Sequence, residues 1–336
     1  MSVTIKDVSK DAGVSIKTVS RVINNEDNVS ESTKEKVLKS VTKLGFKPNK
    51  SAQSLRSKRS YMIALLYDNP NKSYLADVQG GILQACKRTG YNLVLQECNH
   101  EDESLSSSII EFVNDFKIDG LIITPPLSDM DEFLHDLDSE NIEYSIIAPS
   151  TKKASSPYVS SNDYDASYEM TAKIIEHGHQ RIGFVKGHKM HSASSLRFNG
   201  FINALDDHGI DRNFDWIQDG DFSFESGFNA GEKIFNLTDI PSAIFASNDS
   251  MAAGIMKSAR MKNINVPDQL SIIGFDDSPT AQQVWPSMST VKQPVEEMAM
   301  HAAKLLIAQF DGLTEKTVSK EFKSEIIIRE SLRQLS

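Results

Sequence analysis

Acids and amides follow the apolar runs of this chain with a regularity that suggests a binding surface. Tyr67-Asp68-Asn69 closes the run MIALLY (62–67), Thr124-Pro125-Pro126 follows LII, Asn248-Asp249 follows SAIFAS, and Asp276-Asp277 follows LSIIGF. If those runs are parallel strands, every one of these residues lies at a carboxyl end, where doubly wound sheets bind their ligands. A cleft lined by Asp, Asn and Arg with a few rings suits a polyhydroxylated molecule. Carboxylates accept hydroxyl protons, a guanidinium donates back, and an aromatic ring packs against a sugar face. Asn69 is a polar candidate for that cleft, and Tyr74 and Trp285 are the aromatic ones.

Catalytic chemistry has little support. The sequence holds no P-loop, no HExxH, no GxSxG and no GxGxxG after a strand. His177 and His179 in EHGHQR are two apart, so on a helix they face away from one another, and at a helix end they suit the dipole instead. Cys86 and Cys98 are the only cysteines, too few for a disulfide scaffold and spaced for no metal motif. No enzyme activity, cofactor or metal is expected.

Charge divides the chain. The formal net charge is −10, yet residues 1–60 carry 13 Lys/Arg against six Asp/Glu. A basic head on an acidic body is what one small phosphate-contacting module on a soluble carrier would show. The segment MSVTIKDVSK has no apolar h-region, and no apolar run approaches a bilayer span, so a cytoplasmic location is expected.

The elements of the head can be read from caps and spacing. Thr4 precedes Ile5, Val8 and Ala12 at helical intervals, with Asp7 placed to complete a capping box, and Gly13 ends that helix. Ser15 caps a second helix, 16–23, whose inward face is Val19, Val22 and Ile23; a third starts at Ser30 or Ser32 and runs to Gly45. Two short helices joined by a tight glycine turn and braced by a third make a helix-turn-helix unit.

The strings TIKDVSKDAGVSIKTVSRVINN, VSESTKEKV and LGFKPNKSAQSL resemble the head of the lac repressor (LacI/GalR) family, without a gap over some fifty positions. Ser15, Ile16, Lys17, Thr18 and Arg21 then lie at the front of the second helix, where side chains reach base edges in the major groove. The resemblance puts Ile16, Lys17 and Arg21 at the positions that read operator sequence. Thr4, Ser20, Asn24 and Ser30 are short, polar and suited to phosphate contacts that fix register. Residues 48–58 are too few for a stable isolated helix. The resemblance makes them a hinge helix that folds on DNA, with Leu55 wedged into the minor groove beside Asn49 and Ala52.

After Ser60 the pattern alternates strand and helix: strands 62–67 and 91–96, DGLIITP and EYSIIA with helices 74–89, 103–116 and 129–139, then a second set. That set comprises helices 165–177, 194–208, 224–236 and 249–260 around RIGFVKG, SAIFASN and LSIIGFDD, followed by helix 293–310 and strand 325–330. Two similar halves in tandem predict two doubly wound parallel-sheet subdomains of periplasmic-binding-protein-like type behind an all-α head. The expected boundaries are 1–47 for the head, 48–60 for the hinge and 61–336 for the core. Within the core, the first half takes about 61–160 plus 292–315 and the second about 161–291 plus 316–336. EHGHQRIGFVKG, SLRFNGFINAL, IFASNDSMAAGIMK, VPDQLSIIGFDDSPTA and STVKQP also stand in the order of that family. The resemblance puts Arg197, Asn248 and Asp276 on its effector-binding positions, although Asn248 is equally placed to cap helix 249–260. One departure is Ile147-Ala148-Pro149, where many sugar-responsive relatives carry a charged ligand residue; the adjoining 150–156 reads as a polar loop.

These observations imply a sequence-specific repressor of carbohydrate-utilisation genes. It would be a homodimer on pseudo-palindromic operator DNA, released when a small sugar closes the core cleft. The alternative is a purine- or nucleoside-responsive regulator of the same fold. A transport receptor would need a signal peptide and no DNA head. No heptad segment follows the last strand, so no coiled-coil tetramer is expected.

Overall fold

The structure is a computed structural model that describes residues 3–23, 29–46, 59–150, 156–310 and 319–335. It divides into two compact units, Met1–Ser60 and Tyr61–Ser336. No described helix is long and apolar enough to cross a membrane.

In the first unit, α1 (Ile5–Ala12), α2 (Ile16–Ile23) and α3 (Glu31–Leu44) surround a core of four buried valines: Val8, Val19, Val22 and Val37. Each such side chain contributes about 1.5–3 kcal/mol on leaving water, and Ile5, Ala12, Val41 and Leu44 pack around them. The turn between α1 and α2 depends on Gly13 at φ +66°, a left-handed conformation that a Cβ would strain.

The second unit carries two parallel sheets. The first holds β1 (Met62–Tyr67), β2 (Asn92–Glu97), β3 (Gly120–Ile123), β4 (Tyr144–Ile147) and β5 (Tyr158–Ser161); the second holds β6 (Ile182–Val185), β7 (Ile217–Gln218), β8 (Ala243–Ala246) and β9 (Ser271–Ile273). Alternation along β1 shows why its run is continuously apolar. Ile63 and Leu65 enter the core beneath α4 (Lys72–Thr89), whereas Ala64 and Leu66 enter the opposite one with α5 (Leu105–Phe116) and α6 (Asp131–Ser139). The second sheet is covered likewise, by α7 (Asp163–Glu176) and α8 (Ser192–Asp207) on one face and α9 (Phe224–Phe235) and α10 (Asp249–Met261) on the other. The short α11 (Pro279–Gln283) follows β9.

The chain passes between the halves three times. The first passage is from β5 to α7. The second runs from β10 (Thr290–Lys292) to α12 (Val295–Phe310), which packs under the first sheet, and the third from β11 (Lys320–Phe322) to β12 (Glu325–Ile327). Side chains bind these passages together: Asn162 Oδ1 accepts from the Ser324 N–H at 2.8 Å, and the Ser161 hydroxyl lies 3.3 Å from Gln293 Oε1.

The allocation of 316–336 to the second half needs correction, because β11 pairs in parallel with β5 at the edge of the first sheet. Lys-Glu-Phe is a strand with one apolar residue, too short and too polar to announce itself. The strand expected over 325–330 ends at Ile327 and pairs antiparallel with β10. Neither β5 nor β10 had been anticipated.

Candidate DNA interface and effector cavity

The front of the head is built by α2. Ser15 Oγ accepts the Thr18 backbone N–H at 3.1 Å and lies 2.8 Å from its hydroxyl, so both polar residues are engaged in starting the helix. With Val19 and Val22 turned into the core, Ile16 (44% exposed) and Lys17 are left on the surface, and Arg21 follows Lys17 by one turn. At the entry to α1 the Asp7 carboxylate accepts from both the backbone N–H (2.9 Å) and the hydroxyl (2.7 Å) of Thr4, which hold its pKa below the usual value. Ser30 precedes α3 with its hydroxyl 2.9 Å from that of Thr33. Ser20 is partly exposed on α2. Asn24, Asn49, Ala52 and Leu55, and with them the hinge reading, lie outside the described residues, as do residues 151–155 of the polar loop.

In the second unit the carboxyl ends of the two sheets converge on a cavity of about 50 Å³, room for a few water molecules. Of the residues singled out for the cleft, Asn69, Tyr74, Arg197 and Asp276 line it. Their neighbours there, Asn71, Asp163, His191, Phe222 and Gln293, were missed by sequence reasoning. Asp163 and Gln293 sit on two of the inter-half passages, and the local signal for both was weak because β5 and β10 are so short.

Arg197 organises the second half of the cavity. Its Nε donates to Asp163 Oδ1 at 2.7 Å, its Nη1 donates to the Ser247 carbonyl at 2.5 Å, and the guanidinium carbon stands 3.7 Å from the centroid of Phe275. The Ser161 hydroxyl also donates to Asp163. Asp276 accepts from Gln293 Nε2 at 2.8 Å and from Asn71 Nδ2 at 2.9 Å. The Asn71 bond joins the end of β1 to the end of β9, so it fastens one half to the other.

Burial dominates the protonation of these groups. It lifts the Asp276 carboxyl to about 6, with Arg197 pulling the other way. Asp249, fully buried behind it, is lifted to about 8 by burial and then by the charge of Asp276; it accepts from Thr290 Oγ1 and the Ser278 N–H. Burial, followed by neighbouring His188, drives His191 down to about 3, so its ring is neutral. The Tyr74 hydroxyl is raised by burial and by Asp163.

Two expected residues stand elsewhere. Asn248 is the N-cap of α10: its Oδ1 accepts from the Met251 N–H and its Nδ2 donates to the Phe222 carbonyl at 2.9 Å. It therefore does not line the cavity, but holds Phe222, which does, in a left-handed conformation of φ +71°. Trp285 is 84% exposed and does not line the cavity either. Asp276 itself has φ +116°. Non-glycine residues held there cost of order 1–3 kcal/mol and concentrate at ligand clamps. Ala148, φ +52°, lines the cavity where a charged anchor had been found wanting.

Known proteins agree with this construction. Residues 4–49 match the model of the bacterial regulatory proteins of the lacI family, and residues 171–332 match the periplasmic binding protein-like domain. The chain is 33% identical to the probable HTH-type transcriptional repressor ExuR of Bacillus subtilis, over 99% of both chains. It is 32% identical to the HTH-type transcriptional repressor PurR of Photobacterium profundum, again over 99% of each. Among solved structures, the transcriptional regulator CelR in complex with cellobiose superposes with a TM-score of 0.75 at 27% identity, over 98% of this chain and 99% of that one. With a helix-turn-helix head on a two-sheet core, and with relatives matched from end to end, the chain is a non-catalytic, DNA-binding transcriptional regulator of the lacI family.

Proposed function

We propose that this regulator is a carbohydrate-responsive repressor, a cytoplasmic homodimer that leaves a pseudo-palindromic operator when a small sugar enters the core cavity. The observation that carries the reading is the pairing of opposed polar groups around that cavity. Asp163 and Asp276 accept, Arg197, Asn71 and Gln293 donate, and Phe222 offers a ring. Each sugar hydroxyl needs both a donor and an acceptor, which this set supplies. The cellobiose complex of CelR, a full-length structural relative, supports the same class.

On the DNA side, Ile16, Lys17 and Arg21 read base edges, with Ser15 and Thr18 beside them, while Thr4, Ser20, Asn24 and Ser30 contact phosphates. Residues 48–60 form the hinge, with Asn49, Ala52 and Leu55 at the minor groove. Asn69, Tyr74, Arg197 and Asp276 bind the effector directly, and Asn248 acts through Phe222. An effector can release DNA only if it binds the released state more tightly than the operator-bound one.

The test is a thermal-shift screen of the purified chain against neutral mono- and disaccharides, purines and nucleosides, followed by operator gel shifts with each hit. A ligand of the folded state alone raises the melting temperature. A neutral sugar that stabilises the protein and weakens operator binding is the expected result. Stabilisation by purines alone would replace the carbohydrate assignment and leave the regulator standing.

A further inference from the structure

A second cavity, about 460 Å³, opens beside the effector cavity on the second half of the core. The two share the first two turns of α8 and its N-cap: His191, Ala193 and Arg197 face the effector cavity, whereas Ser194, Ser195 and Phe198 line the second. Its remaining wall is the loop after β6, with Lys186, His188 and Lys189, and the segment around Asp219.

Several features there favour an anion. The N-terminus of this 16-residue helix has no side-chain cap and no acidic residue in its first turn, so its N–H groups present partial positive charge. Ser194 is only 4% exposed, and its hydroxyl makes no hydrogen bond among the described residues. On the cavity wall that hydroxyl is free to donate to a ligand. Lys189 has no ion pair among the described residues. Lys186 packs 4.7 Å from the Phe198 ring centroid and lies 3.2 Å from Asp219, whose side chain is 89% exposed and hence a weakly held partner. The Met190 N–H donates to His188 Nδ1 at 3.2 Å, which leaves the proton of the neutral ring on Nε2 as a further donor. Gly187 permits the loop to pass close to the effector side, since a Cβ there would lie 2.1 Å from the Phe222 ring.

We propose that this second cavity is a phosphate site: a phosphomonoester group sits between Lys186, Lys189 and the open first turn of α8, with the Ser194 hydroxyl donating to it. The volume falls within the ordinary range for small-molecule sites, about 300–1,000 Å³, and exceeds what a bare phosphate fills. The fitting ligand is therefore a phosphorylated small metabolite. Because the same end of α8 carries Arg197, with His191 as its N-cap, occupancy here bears on the effector cavity, although the site itself does not depend on what that cavity binds.

Calorimetric titration of the full chain in phosphate- and sulfate-free buffer at low ionic strength tests this, with inorganic phosphate, glucose 6-phosphate and glucose as probes. At least one of the two phosphate probes should bind. Its affinity should fall about tenfold or more in the double variant K186Q/K189Q, whose lysines lie at the surface, and by a smaller factor in S194A, as expected on losing charge-assisted and neutral hydrogen bonds respectively. Binding of glucose 6-phosphate above both others assigns the site to a phosphorylated metabolite; equal binding of the two phosphates assigns it to the free anion. If neither phosphate probe binds, or if K186Q/K189Q binds them as the unaltered chain does, the proposal is overturned.

Discussion

Arg197 and Asp276 stand 3.8 Å apart, guanidinium nitrogen to carboxylate oxygen, and no hydrogen bond joins them. Each is held in place by others, Arg197 by Asp163 and the Ser247 carbonyl, Asp276 by Gln293 and Asn71. The pair thus attracts without closing. A ligand hydroxyl that donates to Asp276 Oδ1 and accepts from Arg197 would use both charges at once, while Asn71 keeps its bond to Oδ2.

Replacing Asp276 by alanine should therefore separate sensing from DNA binding. Operator affinity stays near its original value, while effector affinity falls about 10–100-fold, the worth of a hydrogen bond to a charged group. Calorimetry with the effector found by screening, alongside gel shifts, reads both quantities; an unchanged effector affinity removes Asp276 from the binding set.

The Arg197→Leu variant should lose stability as well as response. Asp163 and Asp276 are then left as buried carboxylates without their cation, a loss of about 3–5 kcal/mol for one partner of a buried pair. Urea denaturation measures it. A loss below about 1 kcal/mol, the scale of surface pairs, would mean that water reaches these carboxylates.

On the DNA side, Arg21→Ala should lower discrimination between the best operator and single-base variants by about 1–3 kcal/mol. Lys17→Ala should do so at a different base position. Selection of binding sites from a random DNA pool checks both, and an unaltered consensus would show that α2 does not read sequence.

Stability should also depend on pH in a defined direction. Asp249 and Asp276 hold protons in the folded state up to about 8 and about 6, far above the ordinary aspartate value of about 3.9. Their contribution is complete below that lower value and is lost as pH rises through 6 and 8. His191, pushed down to about 3, works the opposite way: its contribution is present above the unfolded value of about 6.5 and fades as pH falls toward 3. From about pH 6.5 to 8 the carboxyls are left to dominate. Unfolding free energy should decline over that window by up to about 1.4 kcal/mol per pH unit for each proton released. In Asp249→Asn most of the decline should vanish; a slope identical to that of the unaltered chain would contradict the buried carboxyl pair.

Much of this molecule was legible in the sequence wherever one residue type has one local role. Ser15 before the apolar face of α2, Gly13 at the turn, and the unbroken apolar runs of β1, β6 and β8 all act within a few residues of themselves. The cavity was legible only in part. Arg197 and Asp276 could be placed, but Asp163, Gln293 and Asn71 meet them across 34, 17 and 205 positions of chain, and no short-range pattern encodes such meetings. Trp285 was an attractive aromatic by type, yet it stands on the surface, and residue type alone does not say which side of the chain is covered. Asn248 had two possible roles in the sequence, and its hydrogen bonds assign it the cap.

The pairing of β11 with β5 sets the order in which the core can be completed. The first sheet cannot gain its edge strand until residue 322 exists, although five of its six strands lie before residue 162. On the ribosome the head, complete by residue 60, can fold long before either half of the core has all its pieces. Truncation before residue 320 would take material from both halves together, β11 from one and β12 from the other. Such a product would keep the compact head while leaving both halves of the core incomplete.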